Sequence, residues 1–297
     1  VEVVGWESVP AAQARSLGSA HLPTRSAATS GSKVATTWRQ TLAFYRSGKP
    51  SRWSGWMFRG HARASWPLES SLERAAVRRF GIPHKDLQHL ESELLRDFQR
   101  QAHHFRTDTP PRDDTLAWLA LMQHFGAPTR LLDWTYSFYA AVHFALAGAR
   151  PGHVATVWAV NYRWCRRTLR EAAKRRGEPV GSMQEMLFRN PRRPGLYPVN
   201  PFKLHERLVI QQGVFLAPGD LRQSFLGNYK SMAPGRPAPL RRLNIRVSRS
   251  LLSDALRDLR RMNVTETTLF PGLDGFSRHI GNMIPVLHTL PVDDDLP

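Results

Sequence analysis

A single cysteine, Cys165, occurs in 297 residues. That excludes an internal disulfide and a thiolate zinc cage, and it fits a reducing compartment. No apolar run approaches the roughly 18 residues needed to span a bilayer. No charged-then-apolar leader opens the sequence. The cytoplasm is therefore the expected location, with no membrane partner. The GxxxxGK[ST], GxGxxG and GxSxG patterns are missing, which removes the usual phosphate-loop, dinucleotide-fold and nucleophile-elbow readings. Twelve histidines never fall into HExxH or another good zinc spacing, so no metal is expected. There is no internal repeat. Acidic residues are scarce: 24 Asp and Glu face 42 Lys and Arg, giving a formal net charge of +18.

What is present is globular: 41% hydrophobic residues with 10% aromatics. The basic excess attracts polyanions, and it is uneven. Between Arg163 and Arg193 the acids are Glu171, Glu178 and Glu185 alone. Arg166, Arg167, Arg170, Lys174, Arg175, Arg176, Arg192 and Arg193 from that stretch are the candidate nucleic-acid contacts. A solvated basic surface is the plainer reading of the same residues. The late strand carrying Arg242 and Arg246 adds a second basic patch.

Pro10 to Thr37 is rich in Ala, Ser, Thr and Gly, and residues 1–36 read as a flexible lead-in. A single domain is expected over 37–290, with a basic insertion at about 163–200, followed by an acidic tail over 291–297. Trp38, Leu42 and Tyr45 predict a helix. Trp56 to Arg59 reads as a strand, and Ser71 to Phe80 as a short helix stopped by Gly81. Asp86 to Phe105 carries an apolar stripe from Leu87 to Phe105. A further helix runs from a cap at Asp113 or Asp114 to Gly126. Thr129 to Trp134 leads into a helix capped by Thr135 or Ser137. Val154 to Val160 is a buried strand. The insertion reads as a long loop with one helix, Trp164 to Arg176, and Arg207 to Leu216 as a strand. Leu243, Ile245 and Val247 alternate with polar residues as another strand, ahead of a helix over Ser253 to Met262. Leu269 to Gly275 reads as core packing and a turn into a last helix. The order lacks regular βαβ alternation and predicts an α+β fold with a mixed, mostly antiparallel sheet and flanking helices.

The chemistry-bearing residues gather in few places. Arg59 stands where a strand ends and Gly60 leaves room beside it, an arrangement suited to gripping a phosphate or carboxylate. A strand-end arginine paired with a core acid is the alternative. Thr129, Arg130, Asp133, Trp134 and Thr135 lie on a segment entering a helix N-terminus, where unpaired N–H groups favour an anion. Gln211, Gln212 and Glu266 add an amide pair and a late carboxylate. Thr129 and Thr135 as turn and cap, and the glutamines as ordinary strand polars, remain open.

FRG ahead of WPLESSLER, HFGAPTRLLDWT before an alanine-rich aromatic helix, RLVIQQGVF and TTLFPGLDG resemble the FRG-domain family from about Trp56 to Gly275. The Arg-Gly strand is similar to the first motif of ADP-ribosyltransferases. That resemblance implies an ADP-ribosyltransferase-like sheet and NAD as cofactor. It implies a toxin or phage-defence role with a nucleic-acid or nucleotide acceptor, and a neutralising antitoxin or immunity partner. On it, Arg59, Gly60, Ser71, Thr129, Arg130, Asp133, Trp134, Thr135 and Tyr136 would hold the cofactor, with Trp134 or Tyr136 beside the nicotinamide. Arg59, Gln211, Gln212 and Glu266 would be catalytic, one of the last three replacing the family's usual late-strand glutamate. The alternative is a nucleic-acid-binding module without turnover.

Overall fold

The computed structural model describes residues 7–8, 34–46, 53–232 and 239–287. The expected lead-in and acidic tail lie outside these residues, apart from 7–8 and 34–36. The strands are β1 (Glu7–Ser8), β2 (Trp56–His61), β3 (Leu132–Thr135), β4 (Val154–Asn161), β5 (Leu196–Val199), β6 (Gly213–Pro218) and β7 (Leu240–Arg246). They form one sheet in the order β1-β7-β4-β2-β3-β6-β5, and every pairing between these strands is antiparallel.

The central strands are covered on both faces, which is why β4 reads as an almost unbroken apolar run. Phe58, Val157 and Ala159 point to one layer. There α1 (Trp38–Arg46), α5 (Phe138–Ala147) and α10 (Arg249–Arg261) pack through Trp38, Phe44, Phe138, Ala141 and Leu251. Their sequence neighbours Met57, Trp158 and Val160 point to the other layer. That layer is closed by Cys165 of α6 (Tyr162–Arg175) and Tyr229 of α9 (Phe225–Met232). A third cluster, against β5 and β6, unites Leu116 and Leu119 of α4 (Thr115–His124) with Met183 and Leu187 of α7 (Met183–Phe188). The remaining helices are α2 (Ser71–Glu73, continuing as a π-helical turn Arg74–Arg79), α3 (Leu87–Gln101), α8 (Glu206–Ile210), α11 (Glu266–Leu269) and α12 (Leu273–Leu287).

Local chemistry sets these boundaries. Asp114 caps α4 by accepting from Ala117 N at 3.1 Å, and Ser137 caps α5 by accepting from Ala140 N at 3.2 Å. Gly126, at φ +82°, takes the left-handed turn that ends α4.

Three expectations need correction. RLVIQQGVFL is not one strand: residues 206–210 are helical, Gln212 sits at φ +49°, and β6 starts at Gly213. The left-handed residue breaks the pleat, so apolar alternation across it misleads. The insertion is not a long loop with one helix, since it contains α6, α7 and the edge strand β5. Phe105 leaves the apolar stripe and is 86% exposed, because a 3₁₀ turn over Ala102–His104 ends the α-helical period.

Candidate functional site

Position 59 is fixed by strand pairing. β2 and β3 share one register pair, Phe58 with Thr135, before they diverge. The guanidinium of Arg59 reaches across that divergence: Nη1 donates to the backbone carbonyl of Asp133 at 2.6 Å. Nε donates to Nε2 of His61 at 3.0 Å, two residues on and on the same strand face. Neither contact is with a carboxylate. Burial pushes Arg59 down to about 10, against the nearby Asp133 charge that raises it. Burial, with the Arg59 charge beside it, pushes His61 down to about 3. His61 is thus a neutral acceptor that fixes the plane of the guanidinium.

A hydroxyl–amide relay links the two motifs. Thr129, fully buried, donates from Oγ1 to Oε1 of Gln123 at 2.7 Å. Ser71 accepts from Thr129 N at 3.0 Å and donates to Thr129 O at 3.2 Å. Gln123 in turn donates from Nε2 to the Asp133 carboxylate at 2.9 Å. Gln123, in an apolar helix one turn before Gly126, has no motif or period that marks it out. His61 was findable, since strand period places it beside Arg59.

Asp133 opens into a cleft of about 70 Å³ with Gln123, His124, His205, Arg207 and Gln211 on its walls. His124 and His205 stack there with ring centroids 4.1 Å apart, and both titrate below the usual histidine range, chiefly through burial. Arg207 is also lowered by burial while Asp133 opposes the shift. The cleft adjoins a groove of about 420 Å³ through Ala120, Pro201 and His205, which line both. A small-ligand site generally needs about 300 Å³ or more. The cleft alone is therefore smaller than a usual ligand site, and the adjoining groove is the larger space.

Several expected cofactor residues have other duties. Gly60 does not leave space for a ligand: a Cβ there would lie 2.0 Å from Ala141 O and 2.6 Å from Ala145 N, so the glycine admits α5 against the sheet. Arg130 is fully buried, with Nε donating to both Glu91 oxygens at 2.9 and 2.8 Å and Nη2 donating to Gln88 at 3.1 Å. It ties α3 to the start of β3 and cannot reach a cofactor. Trp134, 2% exposed, belongs to the core with Met57 and Trp158 rather than beside a bound ring. Thr135, the last residue of β3, donates to Gln211 O at 2.6 Å and accepts from Ser137 N at 2.9 Å, fixing the turn into α5. Tyr136 is 41% exposed, and its ring meets Tyr162 edge-on at 5.4 Å.

The expected late acid has partners within the protein. Glu266 is buried at the start of α11. It faces His143 Nε2 at 3.0 Å and His279 Nδ1 at 3.6 Å, and it accepts from Asn282. Burial alone would raise its carboxyl, but His143, the Glu266 backbone and Asn282 together hold it below the usual range. Gln211 donates from Nε2 to Leu269 O at 2.9 Å, joining α11 to the cleft wall, while Gln212 is exposed and gives its carbonyl to Tyr136 N at 3.0 Å.

The basic candidates divide. Arg166, Arg167, Arg170 and Lys174 line one groove of about 460 Å³ on α6 with Arg163 and Glu171. Arg175, also exposed, ends the helix outside that groove. Arg176 and Arg193 are spent on Glu178, whose carboxyl they hold far below its usual range, the Arg176 hydrogen bonds first. Arg192 lies over the Phe188 ring at 5.4 Å and donates to Leu187 O at 2.8 Å. Those three serve the folding of the insertion.

The fold and site define an α+β protein whose polar centre straddles two central strands. Residues 54–153 match the family model described as FRG domain, which supports assignment to the FRG-domain family. The match takes in Arg59, the Gln123–Asp133 relay and α5. No curated protein and no solved structure matches the chain.

Proposed function

We propose that the chain is an NAD-dependent ADP-ribosyltransferase, a toxin or defence effector whose acceptor is a nucleic acid or nucleotide, with an ADP-ribosyltransferase-like sheet. The observation that carries this reading is the Arg59 guanidinium. It is locked by a neutral histidine and a backbone carbonyl, and Nη2 has no hydrogen bond among the described residues. Such a fork is preorganised for one phosphate oxygen. NAD would supply a ribose carbon whose bond to nicotinamide breaks with the electron pair leaving on the nicotinamide nitrogen.

The protein's own residues have separable tasks. Arg59 grips phosphate, and His61 orients Arg59. Asp133, steered by Gln123, offers negative charge where positive charge grows on the sugar. Arg207 balances that carboxylate from the other side of the cleft. Glu266, engaged with His143, is not needed for the charge. The acceptor nucleophile forms its bond to the sugar carbon and releases its proton to solvent. Labelled NAD incubated with mixed nucleic acids, nucleotides and lysate should give free nicotinamide and a labelled product. Asp133→Asn should lose turnover at least tenfold while NAD binding persists. A wild-type protein that releases no nicotinamide with any acceptor ends this reading.

The α6 groove favours a second reading, a nucleic-acid-binding module without turnover, because five cations share one helix face. Its affinity should fall steeply with salt and be indifferent to Arg59→Ala. Binding that ignores salt would dismiss it.

A further inference from the structure

The α6 groove and the residue that follows β3 meet at one point. Arg163, Arg166, Arg167, Arg170 and Lys174 recur at helical spacing and occupy about a third of the α6 circumference. Glu171, 4.0 Å from Arg167, is the acid on that groove. At the head of the stripe stands Tyr162, the first residue of α6, and against it the Tyr136 ring, 5.4 Å away and 41% exposed. Arg166 is close enough that its charge acts on the Tyr136 hydroxyl, although burial dominates and raises that group. The backbone of Tyr136 is pinned by its N–H to Gln212 O at 3.0 Å, and its ring rests edge-on against Tyr162.

We propose that this surface binds single-stranded nucleic acid: phosphates track the cationic face of α6, and one base stacks on Tyr136. A cationic groove ending in an exposed aromatic is the arrangement single strands use, because an unpaired base offers a free π-face and a duplex does not. The stripe from Arg163 to Lys174 is about 17 Å long at 1.5 Å per residue. Its five cations, offset by Glu171, can neutralise about four phosphates along that length. The proposal rests on the nucleic-acid reading of α6 and is independent of the Arg59 site.

Fluorescence anisotropy with a labelled ten-nucleotide strand, as DNA and as RNA, and with the matching duplex tests it in the full chain. The strand should bind at least tenfold tighter than the duplex, with a log–log salt slope of roughly −3. Arg167→Glu with Arg170→Glu should abolish binding. Tyr136→Ala should weaken it roughly 5- to 100-fold while Tyr136→Phe retains it. Circular dichroism should show each variant folded; a variant that fails to fold is replaced by Lys174→Glu for the track. If the duplex binds as tightly as the strand, or Tyr136→Ala binds like wild type, the single-strand assignment is overturned while a basic binding face survives. If neither form binds, both fall.

Discussion

Arg59 and Asp133 meet through the backbone: Nη1 of the arginine donates to the Asp133 carbonyl at 2.6 Å, while the Asp133 carboxylate is held by Gln123 at 2.9 Å. The two charges are thus neighbours without neutralising each other in a salt bridge. Each keeps capacity for a ligand, the arginine for an anion and the carboxylate for a hydroxyl or a developing cation.

Arg130 and Glu91 behave oppositely, as a sealed ion pair. Arg130→Met alone leaves a buried carboxylate uncompensated and should cost about 3–5 kcal/mol. Arg130→Met with Glu91→Leu should recover much of that loss. Urea denaturation of the three proteins measures it; equal stabilities for the single and double variants would contradict the pairing.

Gly60→Ala places a methyl group into the backbone of α5, 2.0 Å from Ala141 O. Helix backbone cannot yield as a side-chain tip can, so overpacking should cost about 1–3 kcal/mol. The thermal midpoint should fall; an unchanged midpoint would restore the reading of Gly60 as ligand clearance.

His61 supplies a pH signature. Its pKa falls from the ordinary 6.5 to about 3 in the folded state, first through burial and then through the Arg59 charge. The native state therefore binds fewer protons than the unfolded one in that window. Stability is full above pH 6.5 and declines as pH falls toward 3, by about 1.4 kcal/mol per pH unit for this group. Denaturation at pH 7, 5.5 and 4 should show a shallower slope for His61→Asn than for wild type. Parallel slopes would show that His61 is not buried neutral.

Much of the architecture was legible because its signals were periodic. The unbroken apolar run around Trp158 reported a buried strand, and the cap candidates Asp113 or Asp114 and Thr135 or Ser137 announced their helices, with Asp114 and Ser137 making the cap bonds. Register in space was not legible. Nothing in TRLLDWT distinguishes Arg130, which turns inward to Glu91, from Asp133, which stays exposed. Gln123 was invisible because its importance comes from standing between Thr129 and Asp133 after folding. The glutamines were misplaced because one left-handed residue, Gln212, separates a helix from a strand within a continuous apolar run. Charge counting found the basic insertion but could not tell the α6 groove from the arginines consumed by Glu178.

Calorimetric titration of NAD into wild type, Arg59→Ala and Arg59→Lys tests the proposed anion grip most directly. Wild type should bind; Arg59→Ala should bind at least tenfold more weakly, about 1.4 kcal/mol, with Arg59→Lys in between because a point charge lacks the fork. Identical affinities for wild type and Arg59→Ala, or no heat from wild type, would contradict it.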